Sequence, residues 1–184
     1  MFYNDTSLIK ELFMSVYERA SLIAEALHID HVRKYTGEPY IAHPRKVAEN
    51  VEAVIRHTCK ESHSKIFLDE FIDIVKTVAV LHDTVEDTNA NIEDIQEEFG
   101  DEVARGVWYL SDPDKFVGNR VTRKALTRDR LRNAPDYVKL IKICDINHNR
   151  GSIAEYDPKF LIQFDLETNA LIEAMNLRTL NETL

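Results

Sequence analysis

The run IDIVKTVAVL, Ile72 to Leu81, is apolar on nearly every side, and it leads straight into LHDTVEDT, Leu81 to Thr88. A helix that is apolar all round belongs inside a core. This one ends on an imidazole and three carboxylates within eight residues. Crowded carboxylates repel one another, and a desolvated one is costly unless something positive offsets it. A bound metal, a ring of Arg and Lys, or plain water would each serve. VKTVAV taken alone also suits a strand. The length of the segment, Asp69 to about Thr84, and its helical neighbours favour a helix.

The neighbours repeat that periodicity. From Ser7 to Ala26, Leu8, Leu12, Val16, Ala20 and Ile23 recur every three or four positions. RKYTGEPYIAHP then breaks the pattern with Gly37, Pro39 and Pro44. Pro44 suits a first helical position, which makes His43 the expected N-cap. The helix that follows is expected to bury Val47, Val51, Val54 and Ile55. CKESHSKIF reads as a polar loop. NIEDIQEEFG reads as a short helix stopped by Gly100, with Asp101 capping the next one, EVARGVWYL. DYVKLIKICDINHN is a further helix, and Asp157-Pro158 opens the last, with Phe160, Phe164, Leu171 and Met175 inward. The sum is an all-α chain, expected to form one domain over residues 1–184 with no internal repeat.

Four side chains have the chemistry of metal ligands: His43, His82, Asp83 and Asp145. Imidazole with carboxylate suits Mn, Fe, Co, Ni or Zn better than Ca, which prefers oxygen throughout. His82 and Asp83 are about 100° apart on a helix and can both reach an ion between them. Asp145 interrupts an apolar face between Cys144 and Ile146. Each also has an ordinary explanation, since a lone Asp in an apolar helix usually bonds a neighbouring chain. Spacing alone does not make the four converge. Glu86 and Asp87 lie four residues beyond His82 and Asp83, one turn along the same faces if the helix continues. Acids there could hold or move the protons of a metal-bound water.

Net charge is −9, which argues against general nucleic-acid binding. Against that background the basic residues stand out. Arg33 and Lys34 precede the Gly-Pro loop, and Arg120, Lys124 and Arg128 form an i, i+4, i+8 stripe with Arg123, Arg130 and Arg132 nearby. Such a stripe suits phosphate, and equally describes a solvated helix face. MFYNDTSLIKELFM lacks a basic segment followed by a continuous apolar one, so no signal peptide is expected. No run has transmembrane length. Two cysteines without zinc-type spacing fit a cytoplasmic setting.

In RKYTGEPYIAHP, LHDTVEDT, EEFGDEV and KICDINHN, from about His28 to Asn149, the chain resembles the hydrolase half of RelA/SpoT-type alarmone enzymes, within the HD phosphohydrolase superfamily. The resemblance implies an HD-domain fold and one divalent metal, typically Mn²⁺, held by His43, His82, Asp83 and Asp145. It implies that Glu86 and Asp87 manage water and proton transfer. Arg33 and Lys34 would contact a small nucleotide, and Asn149 would help position its sugar or phosphate. The implied reaction is release of pyrophosphate from the 3′ position of (p)ppGpp; Arg120 and Lys124 enter as substrate contacts from the stripe alone. An adenosine alarmone, the 2′-phosphate of NADPH, or an inert nucleotide-sensing domain remain alternatives. The family usually reads Arg-Leu-x-Asn after its final metal Asp, where this chain has Ile146-Asn147-His148-Asn149, and a customary Gln is His31 here.

Overall fold

The computed structural model describes residues 14–60, 64–113 and 115–176. Among them the chain forms α1 (Val16–Leu27), α2 (Ala42–Thr58), α3 (Lys65–Leu81), α4 (Thr84–Asp87), α5 (Ile92–Phe99), α6 (Asp101–Leu110), α7 (Arg120–Arg132), α8 (Asp136–Tyr156) and α9 (Pro158–Ala174). A short 3₁₀ turn, Lys115–Val117, precedes α7. The described residues contain no strand, only one isolated bridge between Val32 and Pro39. The all-α expectation holds. Its first segment, Ser7 to Phe13, lies outside the described residues.

Local chemistry sets most of the boundaries. Ser15 and Glu18 close a capping box at the start of α1, and Asn91 and Asp94 do the same for α5. Asp157 caps α9 by accepting from the Phe160 N–H, with Pro158 in the first turn, as the sequence predicts. Three expectations are corrected. His43 is not an N-cap: the Ala42 and His43 N–H groups already donate to the Pro39 and Tyr40 carbonyls, so Ile41 caps α2. Asp101 is the first residue of α6, because Gly100, at φ 85°, makes the reversal itself. The polar loop is shorter than expected, since α3 begins at Lys65; Glu61 to His63 lie outside the described residues.

α3 is the central element, packed against α1, α2, α6 and α8. Val75, Val78, Val80 and Leu81 are fully buried along it, each contributing roughly 1.5–3 kcal/mol of transfer free energy. Its approach to α6 is close at Gly106, where a Cβ would meet the Val78 methyls at 2.8 Å. On α2, Val47, Val51 and Ile55 are buried but Val54 is 40% exposed, so that expectation fails at one position. On α9, Leu171 and Met175 are buried, while Phe160 and Phe164 are half-buried.

Candidate metal centre and phosphate cleft

The apolar helix α3 does not run on through the acidic stretch. The Thr84 hydroxyl donates to the Leu81 carbonyl at 2.7 Å, Asp83 sits at φ −99° and ψ −7°, and the short α4 starts at Thr84. α4 is thus a separate short turn, yet the Asp87 N–H donates to the Asp83 carbonyl at 2.9 Å, so Asp87 keeps its place one turn beyond Asp83. The break leaves His82 and Asp83 at the buried end of α3, facing the first turn of α2 and the middle of α8.

The four candidate ligands meet there. Ligand atoms of His43, His82 and Asp83 lie within 4.8 Å of one another. Asp145 Oδ1 is 3.2 Å from His43 Nε2 and 3.8 Å from His82 Nε2. Asp83 Oδ2 is 2.9 Å from His82 Nε2 and 3.6 Å from His43 Nε2. Both imidazoles are 1% exposed, yet neither Nε2 makes a hydrogen bond among the described residues. Near carboxylates misdirected for hydrogen bonding, beside two unpartnered buried nitrogens, form a donor set suited to a cation.

The electrostatics agree. Burial alone would lower the His82 pKa, but the Asp83 and Asp145 carboxylates outweigh it and raise the value to about 10. Burial pushes Asp83 and Asp145 upward too, and their positive neighbours overcome it and hold both low: chiefly His82 for Asp83, chiefly Lys142 for Asp145. His43, His82 and Asp83 thus form a donor group that suits a divalent ion, with Asp145 against both imidazoles.

The surrounding side chains orient this set. Tyr40 donates its hydroxyl to Asp83 Oδ2 at 2.6 Å. Lys142 donates to Asp145 Oδ2 at 2.8 Å, and Asn149 Nδ2 to Asp145 Oδ1 at 2.6 Å. Arg33 in turn donates to Asn149 Oδ1 at 2.7 Å. Asn149 therefore ties Arg33 to Asp145, a link that the sequence reading lacks. Lys34 is exposed, donating to the Tyr35 hydroxyl at 3.1 Å and lying 3.9 Å from Asp157. Lys142 and Asn149 were legible as the i−3 and i+4 neighbours of Asp145 on one helix. Tyr40 carried no such signal.

Glu86 and Asp87 are both exposed; Glu86 borders the cavity that Asp112 and Lys124 also line. Burial, ahead of the Asp112 carboxylate, raises the pKa of Glu86, and burial ahead of Asp83 raises that of Asp87. Glu86 accepts the Asp112 backbone N–H at 3.1 Å.

The basic stripe lies on α7. Arg120, Lys124 and Arg128 line one cavity together with Lys142, Asp145 and Asn149, and Arg120 and Lys124 also border a second with Glu86 and Asp112. They are not bare cations. Arg120 makes a bidentate pair with Glu167, its shorter bond 2.7 Å, and Lys124 pairs with Asp112 at 2.7 Å. Arg123 and Arg130 serve the fold, donating to the carbonyls of Gly118 and of Trp108 and Ser111.

No family model matches the chain. The sequence is 30% identical over 144 residues to the Xenopus tropicalis guanosine-3′,5′-bis(diphosphate) 3′-pyrophosphohydrolase MESH1, covering 78% of this chain and 72% of that protein. It is 32% identical over 149 residues to a probable GTP pyrophosphokinase of Mycobacterium leprae, covering 79% of this chain. It is 30% identical over 164 residues to a guanosine-3′,5′-bis(diphosphate) 3′-pyrophosphohydrolase of Borreliella burgdorferi, covering 82%. The chain spans only 17% and 21% of the length of those two. Its fold matches a solved structure described as a metazoan ortholog of SpoT that hydrolyzes ppGpp, with TM-score 0.70 and 23% identity over 88% of this chain and 85% of that one.

Proposed function

The chain belongs to the HD-type small alarmone hydrolases, the family of the Xenopus guanosine-3′,5′-bis(diphosphate) 3′-pyrophosphohydrolase, and from that premise we propose that it releases pyrophosphate from the 3′ position of ppGpp and pppGpp, leaving GDP and GTP. The observation that carries the reading is the pair of buried, unpartnered Nε2 atoms of His43 and His82 facing Asp83 and Asp145, beside a cleft that holds both acids and cations. We take residues 1–184 as one such domain. Among the described residues a single hydrophobic cluster runs through α1 to α9, which supports that.

We assign His43, His82, Asp83 and Asp145 to one divalent ion; the mixed nitrogen and oxygen donor set suits Mn, Fe, Co, Ni or Zn, and Mn²⁺ is taken from the family resemblance. Such an ion, when bound, lowers the pKa of a water and offsets phosphoryl charge. The protein's own groups do the rest. Tyr40, Lys142 and Asn149 hold the two carboxylates in orientation. Glu86, as carboxylate, takes a proton from the attacking water. The water oxygen bonds to the phosphorus carried by the ribose 3′-oxygen, the 3′-oxygen–phosphorus bond breaks, and Asp87 is the acid for the leaving oxygen. Arg120 and Lys124 receive the pyrophosphate, and Arg33 and Lys34, on the other side of Asn149, receive the nucleoside end. A small nucleotide is thus the substrate. Both cysteines are unpaired, in keeping with a cytoplasmic setting. Among the described residues no helix is long and apolar enough to cross a membrane.

A nucleotide panel with Mn²⁺, products separated by chromatography, tests the proposal. Pyrophosphate and GDP from ppGpp are expected, with turnover abolished by a chelator and restored by Mn²⁺. Preferred hydrolysis of adenosine alarmones or of NADPH would replace the substrate assignment while leaving the chemistry. Undiminished turnover by metal-free protein would overturn the metal assignment.

A further inference from the structure

His82 and His43 present the same nitrogen to the centre by different means. His82 Nδ1 lies 2.7 Å from the Ala79 carbonyl oxygen, which can only accept. The proton of neutral His82 therefore belongs on Nδ1, leaving a lone pair on Nε2. Among the described residues no carbonyl performs that service for His43. Its Nδ1 instead meets another ring, His148 Nδ1, at 2.7 Å. Two imidazole nitrogens at that distance share one proton, and which ring donates decides what His43 can do. If His148 donates, the proton of neutral His43 sits on Nε2, the atom that faces Asp83 and Asp145. If His43 donates, Nε2 offers a lone pair, as His82 does.

We propose that His148 is a positioning residue that accepts the His43 Nδ1–H and so fixes His43 in the tautomer able to ligate a metal through Nε2. The proposal rests on the metal-site reading above. Three observations support it. His43 Nε2 is buried and without a hydrogen bond among the described residues, so a proton there would find no well-directed acceptor. The two rings also meet edge to edge, with centroids 4.9 Å apart and planes inclined by only 30°, so the Nδ1 atoms face each other nearly in line. His148 lies three residues after Asp145 on α8, so one helix supplies a carboxylate to the centre and aligns the imidazole contributed by α2. Metal-binding histidines usually donate their second nitrogen to a carboxylate, a carbonyl or water, and loss of that partner typically weakens metal binding about 10–100-fold. Here an imidazole takes that place.

Ring bulk and hydrogen bonding make separable demands on a substitute. His148→Phe keeps a ring against His43 and removes the acceptor. His148→Gln removes the ring and keeps an acceptor, its amide oxygen. Nitrogen NMR of histidine-labelled, metal-free protein reads the His43 tautomer, and competition with a chromophoric chelator reads Mn²⁺ affinity. In wild type and His148→Gln, the His43 proton is expected on Nδ1, with affinities within a few-fold of each other. In His148→Phe, the tautomers should mix and affinity should fall about 10–100-fold. His148→Leu carries the same test if phenylalanine does not fold. Unchanged tautomer and affinity in the variants lacking an acceptor overturn the proposal, as does a wild-type His43 protonated on Nε2. Loss of affinity in His148→Gln with none in His148→Phe would make the role packing alone, and also overturns it. Wild-type protein that binds no metal sinks the metal-site reading instead, and the tautomer measurement still decides the hold of His148 on His43.

Discussion

Glu86 has two environments. One side reaches the water of the cleft; the other is desolvated by the walls and faces Asp112, whose backbone N–H it accepts at 3.1 Å. Burial first, then Asp112 and Asp83, raise its pKa, while the Asp112 N–H and Lys142 act the other way. As the base, Glu86 works ionised, so activity should rise with pH through a limb above the ordinary carboxylate range. Asp112→Asn keeps the N–H and removes the repelling charge. The acid limb of kcat should then move to lower pH, and a limb that stays put would separate Asp112 from Glu86. Glu86→Gln should keep the fold and the bound metal but lose about 10²–10⁴-fold in kcat, the usual worth of acid–base assistance. Metal loss in that variant would make Glu86 a ligand. The residue types at this centre were legible in the sequence because His43, His82, Asp83 and Asp145 are costly in or beside apolar segments unless they serve one purpose. Tyr40 and His148 were not. Each touches the centre through contacts between distant segments, which no periodicity records.

At the scale of the element, α7 shows what spacing can and cannot tell. The i, i+4, i+8 rule places Arg120, Lys124 and Arg128 on one face, and that face does line a cavity with Asp145 and Asn149. The rule is silent about α9 and the end of α6, which bring Glu167 and Asp112 to the same cations. Substrate phosphates must compete with those carboxylates for Arg120 and Lys124. A charge-assisted hydrogen bond contributes about 1.5–3 kcal/mol, and the competing carboxylates reduce the net gain. The Arg120→Ala, Lys124→Ala double variant should therefore raise KM for ppGpp about tenfold or more with metal content unchanged. Arg132, exposed and 3.5 Å from Asp129, is the control. Wild-type kinetics in the double variant would reduce the stripe to a solvated face. The end of α3 makes the complementary point. Its apolar run announced a core helix to about Thr84, but α3 ends at Leu81, whose carbonyl accepts the Thr84 hydroxyl. Threonine is common inside helices, so the sequence favoured continuation; the i+4 relation of Asp83 and Asp87 survives the break, as the Asp87 N–H bond to the Asp83 carbonyl records.

Across the whole molecule, the candidate centre is where α2, the end of α3 and α8 approach one another, and its ligands come from residues as far apart as His43 and Asp145. A buried and a partly buried carboxylate with two buried imidazoles are costly to gather there without a cation. An ion bound by this set, and not by the unfolded chain, stabilises the folded state by mass action. At free metal one hundred times the dissociation constant the gain is about 2.7 kcal/mol. For a chain of this size each kcal/mol shifts the unfolding midpoint by about 2–4 °C. Chelation of the loaded protein should therefore lower Tm by about 5–10 °C, and Mn²⁺ should restore it in proportion to the logarithm of its concentration. In Asp145→Ala the metal-dependent part should vanish, whatever the variant does to the starting Tm. Glu86→Gln should retain it in full, because that side chain is assigned to the water and not to the ion. The comparison needs no turnover, so it tests the architecture of the centre separately from its chemistry. Equal melting of loaded and chelated wild-type protein would mean that the helices come together at His43, His82, Asp83 and Asp145 without an ion to hold them.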